Sequence, residues 1–252
     1  MTASSLDTAA APPEAPAARP AARPLPVRVA DTFFSPGKLF AELRDAGEAG
    51  ERAWLGPVLV SLVVLLALTL ATPLFFTPLE VAEFARQQAV DAGRQNLPPA
   101  EQMAGQMEVF RWVGTAFFAA WTFARPFVVG ALLAGIFGAF FGGNAKYRMY
   151  VSVASHAFLV SALGALVGSA LMFASGRLDV ALSLAVLAPD AGGVARGVLN
   201  ALTPFSLWMT ALFAYGAATV NRREGWIGAA VILLALQVAV AAAMAALGGM
   251  GG

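Results

Sequence analysis

Apolar residues in this chain come in long blocks, without the alternation of a half-buried strand or the single stripe of a soluble helix. Leu55–Phe76, Val151–Ala174, Leu199–Val220 and Ile227–Leu247 hold no charged residue. At ~1.5 Å of rise per residue, each is long enough to cross a hydrocarbon core of about 30 Å. A fifth block, Trp112–Phe141, is longer than a span needs and contains Arg125-Pro126. The pattern predicts an all-α, polytopic membrane bundle of five transmembrane helices, at about 55–76, 119–141, 151–174, 199–220 and 227–247.

The block with Arg125 has two readings. With Phe141 at one boundary, Arg125 lies roughly 24 Å along the helix and its side chain snorkels to the far interface, leaving 112–124 outside the hydrocarbon or in the interface. This is the preferred placement. In the other, Arg125 sits deep, partnered by the Thr122 carbonyl that Pro126 leaves unbonded and by a polar side chain such as Gln237.

The segments between blocks are of three kinds. Residues 1–31 are Ala/Pro-rich with scattered Arg, too poor in apolar surface to offset the entropy of ordering, and are expected to form a disordered tail. Asp7, Glu14 and the prolines interrupt any signal-peptide core, so targeting is expected to fall to the first span. Ser35-Pro36 is a helix-start signature, with the serine oxygen placed to cap exposed amides. The helix it opens, over about 36–46, carries Leu39, Phe40 and Leu43 on one face, with Phe33 and Phe34 leading in. That pattern predicts a helix lying in the membrane interface and a surface for contacts; the competing expectation is packing against the rest of the protein. Residues 79–108 read as two amphipathic pieces, the second beginning at Pro99 and feeding into the next span. Residues 175–198 are too short in apolar content to cross, and 248–252 read as a flexible Gly tail.

Composition sharpens this picture. Only 12% of residues are charged against about 25% in a soluble domain, 59% are apolar, and the net charge of +1 leaves no basic surplus for nucleic acid. Arg19, Arg23, Arg28, Lys38, Arg44, Arg52, Lys146, Arg148, Arg222 and Arg223 alternate by span with Arg86, Arg94, Arg111, Arg177 and Arg196. The richer side is expected to be cytoplasmic, with the N-terminus there and the C-terminus outside. Trp54, Trp112, Trp121, Trp208 and Trp226 fall near predicted span ends, as an interfacial belt requires.

Candidate chemistry is sparse. There is no cysteine and one histidine, so no metal or cofactor site is expected. Met103 and Met107, four apart, read as apolar packing. No Asp or Glu lies inside a predicted span, and no HExxH, Gly-x-Ser-x-Gly or phosphate-loop string occurs. Ser152 or Ser155 beside His156 would still need an oxyanion hole, so catalysis is not expected. The intramembrane polar positions are Arg125, His156 and Gln237, with His156 expected to bond a neighbouring carbonyl. Gly130, Ala134, Gly138 and Gly142, with Gly164 and Gly168, form small-residue faces for close helix packing or for a homo-oligomer contact.

Particular strings then become recognisable. Phe34-Ser35-Pro36-x-x-x-Phe40 ahead of the first span, Gly142-Gly143 before Tyr147-Arg148 with Ser152-Val153 beyond, and Pro204-Phe205-Ser206-Leu207-Trp208 opening the fourth span resemble the Yip domain family, the Ypt/Rab-interacting membrane proteins. The resemblance covers roughly residues 32–245. It implies five spans, a cytoplasmic N-terminus and a role in interaction; the Ala/Arg/Pro bias and compact length look like the bacterial branch, to which Rab binding is not carried over. The resulting expectation is a bacterial inner-membrane adaptor or membrane-organising protein, with membrane lipid and another protein as partners and the cytoplasmic tail and Phe33–Ala46 helix as contact surface. The rival expectation is a small transporter whose path Arg125, His156 and Gln237 would line.

Overall fold

The computed structural model describes residues 23–91, 97–180 and 182–250, and they are helical almost throughout. In chain order the helices are α1 (Leu25–Phe34), α2 (Pro36–Asp45), α3 (Glu48–Glu51), α4 (Leu55–Ala71), α5 (Pro78–Asp91), α6 (Ala100–Phe141), α7 (Tyr147–Ser175), α8 (Gly193–Ala201), α9 (Pro204–Val220) and α10 (Ile227–Met250). Among the described residues, four stretches are long and apolar enough to cross a membrane: Glu48–Leu74, Arg111–Phe141, Tyr147–Ser175 and Ile227–Leu247. The pair α8 and α9, bent by 63°, makes a fifth when taken together. A helical membrane bundle is therefore the architecture, as the apolar blocks required.

The centre of the bundle is the first half of α7. Every residue from Met149 to Val160 is buried, because α4, α6 and α9 pack on its sides and the N-terminal helices close the remainder. A helix enclosed in this way needs no amphipathic stripe, which is why Ser152, Ser155 and His156 interrupt an otherwise apolar surface.

The structure corrects the sequence reading at four places. The chain is helical from Leu25, inside the stretch expected to be a disordered tail; residues 1–22 lie outside the described residues. Pro24 and Pro26 flank the first turn, where proline's preset φ starts a helix and its missing N–H is no loss. The second correction concerns α2, whose apolar face is turned into the bundle. Leu39 and Phe40 are 0% exposed and Leu43 is 1% exposed, packed with α7 and α9, while Phe33 stacks edge-on against Trp208 at 5.9 Å. Phe34 alone of the expected surface stands free, 85% exposed. Packing prevails over the interfacial placement because Gly216 opens a notch on α9, where an added Cβ would come within 3.0 Å of the Phe40 ring. Ser35 occupies the N-cap of α2, yet its hydroxyl makes no capping bond.

Third, the span expected over 199–220 is broken. Leu202 and Thr203 are extended, and α9 begins at Pro204. Proline disfavours helix at the residue before it, and Thr203 and Ser206 cap the new start reciprocally, at 2.9 and 3.0 Å. Fourth, α10 stays helical to Met250, through most of the expected Gly tail; its last two residues lie outside the described ones. Helix α6 resolves the long block as one continuous helix of 42 residues, ~63 Å by rise, with Pro126 inside it.

Candidate functional site

Where α7 meets the N-terminal helices, polar groups converge inside the bundle. Ser152 donates its hydroxyl to the Gly50 carbonyl at 2.7 Å, and Ser155 donates to the Ser152 carbonyl at 2.9 Å. The Nδ1 of His156 lies 2.7 Å from that same carbonyl. A carbonyl only accepts, so this contact assigns the ring proton to Nδ1 and leaves Nε2 as an acceptor. Facing Nε2 at 3.4 Å is a guanidinium nitrogen of Arg28, which also donates to the Ala53 carbonyl at 3.1 Å. Arg28 is thus threaded from α1 to the start of α4 and the wholly buried His156 of α7.

Around this thread, Arg23 pairs with Asp31 at 2.6 Å and with Glu42, fastening α1 to α2. Lys146 meets Glu51 at 2.9 Å. Burial pulls the Arg28 guanidinium below its ordinary pKa, and the nearby Glu42 carboxylate opposes that pull. Chemically the arrangement is a clamp. The imidazole bonds a serine carbonyl and neither serine hydroxyl, so the geometry that activates a serine nucleophile is missing here.

A second polar knot joins the ends of α6, α7 and α9. The Asn221 Oδ1 accepts from the Asn144 and Ala145 amides at 2.9 and 3.0 Å, and its Nδ2 donates to the Tyr150 hydroxyl at 2.8 Å and the Ala217 carbonyl at 2.7 Å. Arg223 donates to the Gly142 carbonyl at 3.1 Å. Gly142 adopts φ +59°, the left-handed end of α6 that glycine alone takes without cost. A Cβ on Gly143 would lie 2.8 Å from Asn221 Oδ1, so the paired glycines have separate duties: one turns the chain and the other makes room for the asparagine. The sequence reading passed over Asn221 and Arg28. A polar residue just after an apolar block, opposite a Gly-Gly turn, was the signal for the first; Arg28 gave none, because its surroundings looked disordered.

The three intramembrane polar positions do not converge. His156 takes the contacts described above. Gln237 accepts from Thr210 at 2.9 Å and donates at 3.1 Å to the Ala201 carbonyl where α8 stops, a carbonyl that also accepts from the Ser206 hydroxyl at 3.0 Å. Its amide is therefore engaged away from Arg125 and is not the partner that the deep reading of that residue named. The Arg125 guanidinium lies 4.2 Å from the ring of Phe158, a cation–π contact inside the bundle in place of a side chain extended to the far interface. Its Nε is buried with no hydrogen-bond partner among the described residues.

The small-residue faces divide in the same way. A Cβ on Gly130 would come within 3.1 Å of Val151 backbone, and one on Gly164 within 2.8 Å of the Phe205 ring, so both mark close helix approaches. Ala134 packs at the core edge, Gly168 has only ordinary contact with Leu182, and Gly138 faces open space. Gly142 is a helix end. Among the described residues, no three His, Asp or Glu side chains lie together in a way that holds a metal ion.

The model of the Yip1 domain matches residues 30–247, most of the chain. The chain belongs to that family. In this Yip1 domain the recognisable strings each have a physical duty: Phe40 fills the Gly216 notch, Gly142-Gly143 ends α6 against Asn221, and Pro204 restarts the chain as α9. No curated protein and no solved structure matches the chain.

Proposed function

We propose that this Yip1-domain protein is an adaptor or membrane-organising partner of the bacterial inner membrane, acting through contacts and without catalysis. The observation that carries the reading is the α1–α2 hairpin. Its apolar face is consumed by the bundle, so it is a fixed platform that presents Phe34 at its tip. Membership of the family and the absence of an activated nucleophile in the polar core point the same way. The rival transporter reading gains nothing from the geometry, because Arg125, His156 and Gln237 face different partners.

The end of the platform that carries Arg44 is read as the cytoplasmic one. Supporting this, Arg44, Lys146 and Arg223 all bond across helices at that one end, to the Thr219 carbonyl, Glu51 and the Gly142 carbonyl, beside Arg52, Arg148 and Arg222. Fused after Gly252, a reporter active only in the cytoplasm is expected to be silent, and strong activity there would reverse the orientation.

The adaptor reading is tested with a photo-crosslinking residue at position 34 in native membranes, with and without residues 1–22. A discrete protein adduct, lost with the deletion while insertion persists, is the expected result. Adducts to lipid alone would overturn it. The deletion stops at residue 22 because a longer one, to residue 46, would strip Leu39, Phe40 and Leu43 from the core.

A further inference from the structure

At the opposite end from the clamp, α4, α5 and α6 leave a cleft of about 420 Å³ between them. Its walls include Leu65, Phe76, Val81, Gly114 and Phe118, with Arg111 at one edge. Three threonines also line it, but each hydroxyl is spent on its own helix: Thr69 donates to the Leu65 carbonyl at 2.9 Å, Thr72 to the Leu68 carbonyl at 2.8 Å and Thr115 to the Arg111 carbonyl at 2.8 Å. Their hydroxyl protons are committed within their own helices and are not offered to the cleft. Away from Arg111, a polar solute would lose its water there and gain no hydrogen-bond donor from the walls in return. Hydrocarbon loses nothing and gains dispersion contacts with the walls.

Position decides which hydrocarbon. The cleft opens between two span-length stretches, Glu48–Leu74 and Arg111–Phe141, at the point where the second begins. Arg111 lies 5.0 Å from the ring of Trp112, itself 56% exposed, and an arginine beside an exposed tryptophan at the start of an apolar stretch is how a helix anchors at the headgroup level. Among the described residues lining the cleft, Arg111 carries the single charge, and it is positive. Gly114 keeps the wall open, since a Cβ there would meet nothing within 4 Å.

We propose that this cleft holds one acyl chain of a bilayer phospholipid, with the lipid phosphate at Arg111. An anionic headgroup such as phosphatidylglycerol's is preferred over a zwitterionic one, because the guanidinium pairs best with a net negative group.

The test uses the full chain in nanodiscs of phosphatidylglycerol and phosphatidylcholine, released into native mass spectrometry, with retained lipids counted. The wild type is expected to keep one lipid, chiefly phosphatidylglycerol. Gly114→Leu and Thr115→Leu both fill the cleft and are expected to lose it, while Gly105→Leu, also in open space but outside the lining, keeps it. Arg111→Gln is expected to retain a lipid with its preference for phosphatidylglycerol cut by about tenfold, the size of one lost charge-assisted hydrogen bond. Thermal midpoints in lipid-free detergent show that each variant folds, and if Gly114→Leu does not, Thr115→Leu decides. Undiminished lipid retention in a folded cleft-filling variant would overturn the proposal. So would a headgroup preference that Arg111→Gln leaves unchanged.

Discussion

The polar side chains of the clamp and the threonines of the α4–α5–α6 corner are used in opposite ways. At the end with the clamp they bond across helices: Ser152 of α7 reaches Gly50 of α3, Arg28 of α1 reaches Ala53 and His156, and Asn221 holds the turn after α6 and the Tyr150 hydroxyl together. At the α4–α5–α6 corner, Thr69, Thr72 and Thr115 bond one turn back along their own helices, and Thr77 and Glu80 cap α5 between themselves. Inside an apolar bundle, a cross-helix bond admits one arrangement of its helices, because the alternative is an unpaired polar group. Local bonds survive if the helices shift apart. The clamped end is thus fixed in position by its cross-helix bonds, whereas the three threonines add no such tie across the cleft.

The largest expected difference lies within a single helical hairpin. Phe40→Ala removes a fully buried ring from the Gly216 notch and is expected to lower stability by about 3–5 kcal/mol. Phe34→Ala, six residues away and 85% exposed, is expected to change it by less than about 0.5 kcal/mol. Denaturant titration of purified protein in mixed micelles compares the two. Equal losses would mean that the hairpin is held by its tip and that the wrapped first half of α7 is not the centre of the fold.

That pair also shows how far the sequence was legible. Long uncharged blocks declared the bundle, because the length needed to cross a bilayer is a physical constant that composition alone can meet. The α2 helix declared its apolar face through Leu39, Phe40 and Leu43, but periodicity reports only that a face is apolar, not what covers it. The cover is a notch made by Gly216, far along the chain, and no local pattern announces it. Arg28 was illegible for the same reason, since its partners are a carbonyl and an imidazole that tertiary packing brings within reach, whereas Asn221 left a signal in its place after an apolar block. Pro204 was legible and was underused, since its rule against helix at Thr203 already placed the break between α8 and α9.

A smaller effect separates the two kinds of polar bond. Asn221→Ala leaves the Asn144 and Ala145 amides and the Tyr150 hydroxyl without their partner, and a loss of about 2–3 kcal/mol is expected. Thr69→Val keeps the shape and removes a bond that its own helix carbonyl shares with the backbone ladder, so a change under about 0.5 kcal/mol is expected. Melting of the two variants side by side measures both. If Thr69→Val costs as much as Asn221→Ala, local and cross-helix bonds do equal work and the contrast between the ends fails.

The smallest effect is one of acidity and is confined to the loose corner. The Thr77 backbone N–H and hydroxyl both donate to the Glu80 carboxylate, at 2.7 and 2.8 Å, and these bonds hold its pKa below the ordinary 4.5. A carboxylate with a lowered folded-state pKa contributes above its unfolded value and loses that contribution as the pH falls through the folded one. The first turn of α5 is therefore expected to be fully capped above about pH 4.5 and to fray only in acid below it. The neutral amide oxygen of Asn221 does not titrate, so the Asn144 and Ala145 amides are expected to stay protected across the same range. Hydrogen exchange at matched intrinsic rates, followed from pH 6 to pH 3, reads both ends in one experiment. Acid fraying at Asn144 and Ala145 before the first turn of α5 would show that the clamped end depends on its surrounding ion pairs, Lys146 with Glu51 above all, more than on the asparagine at its centre.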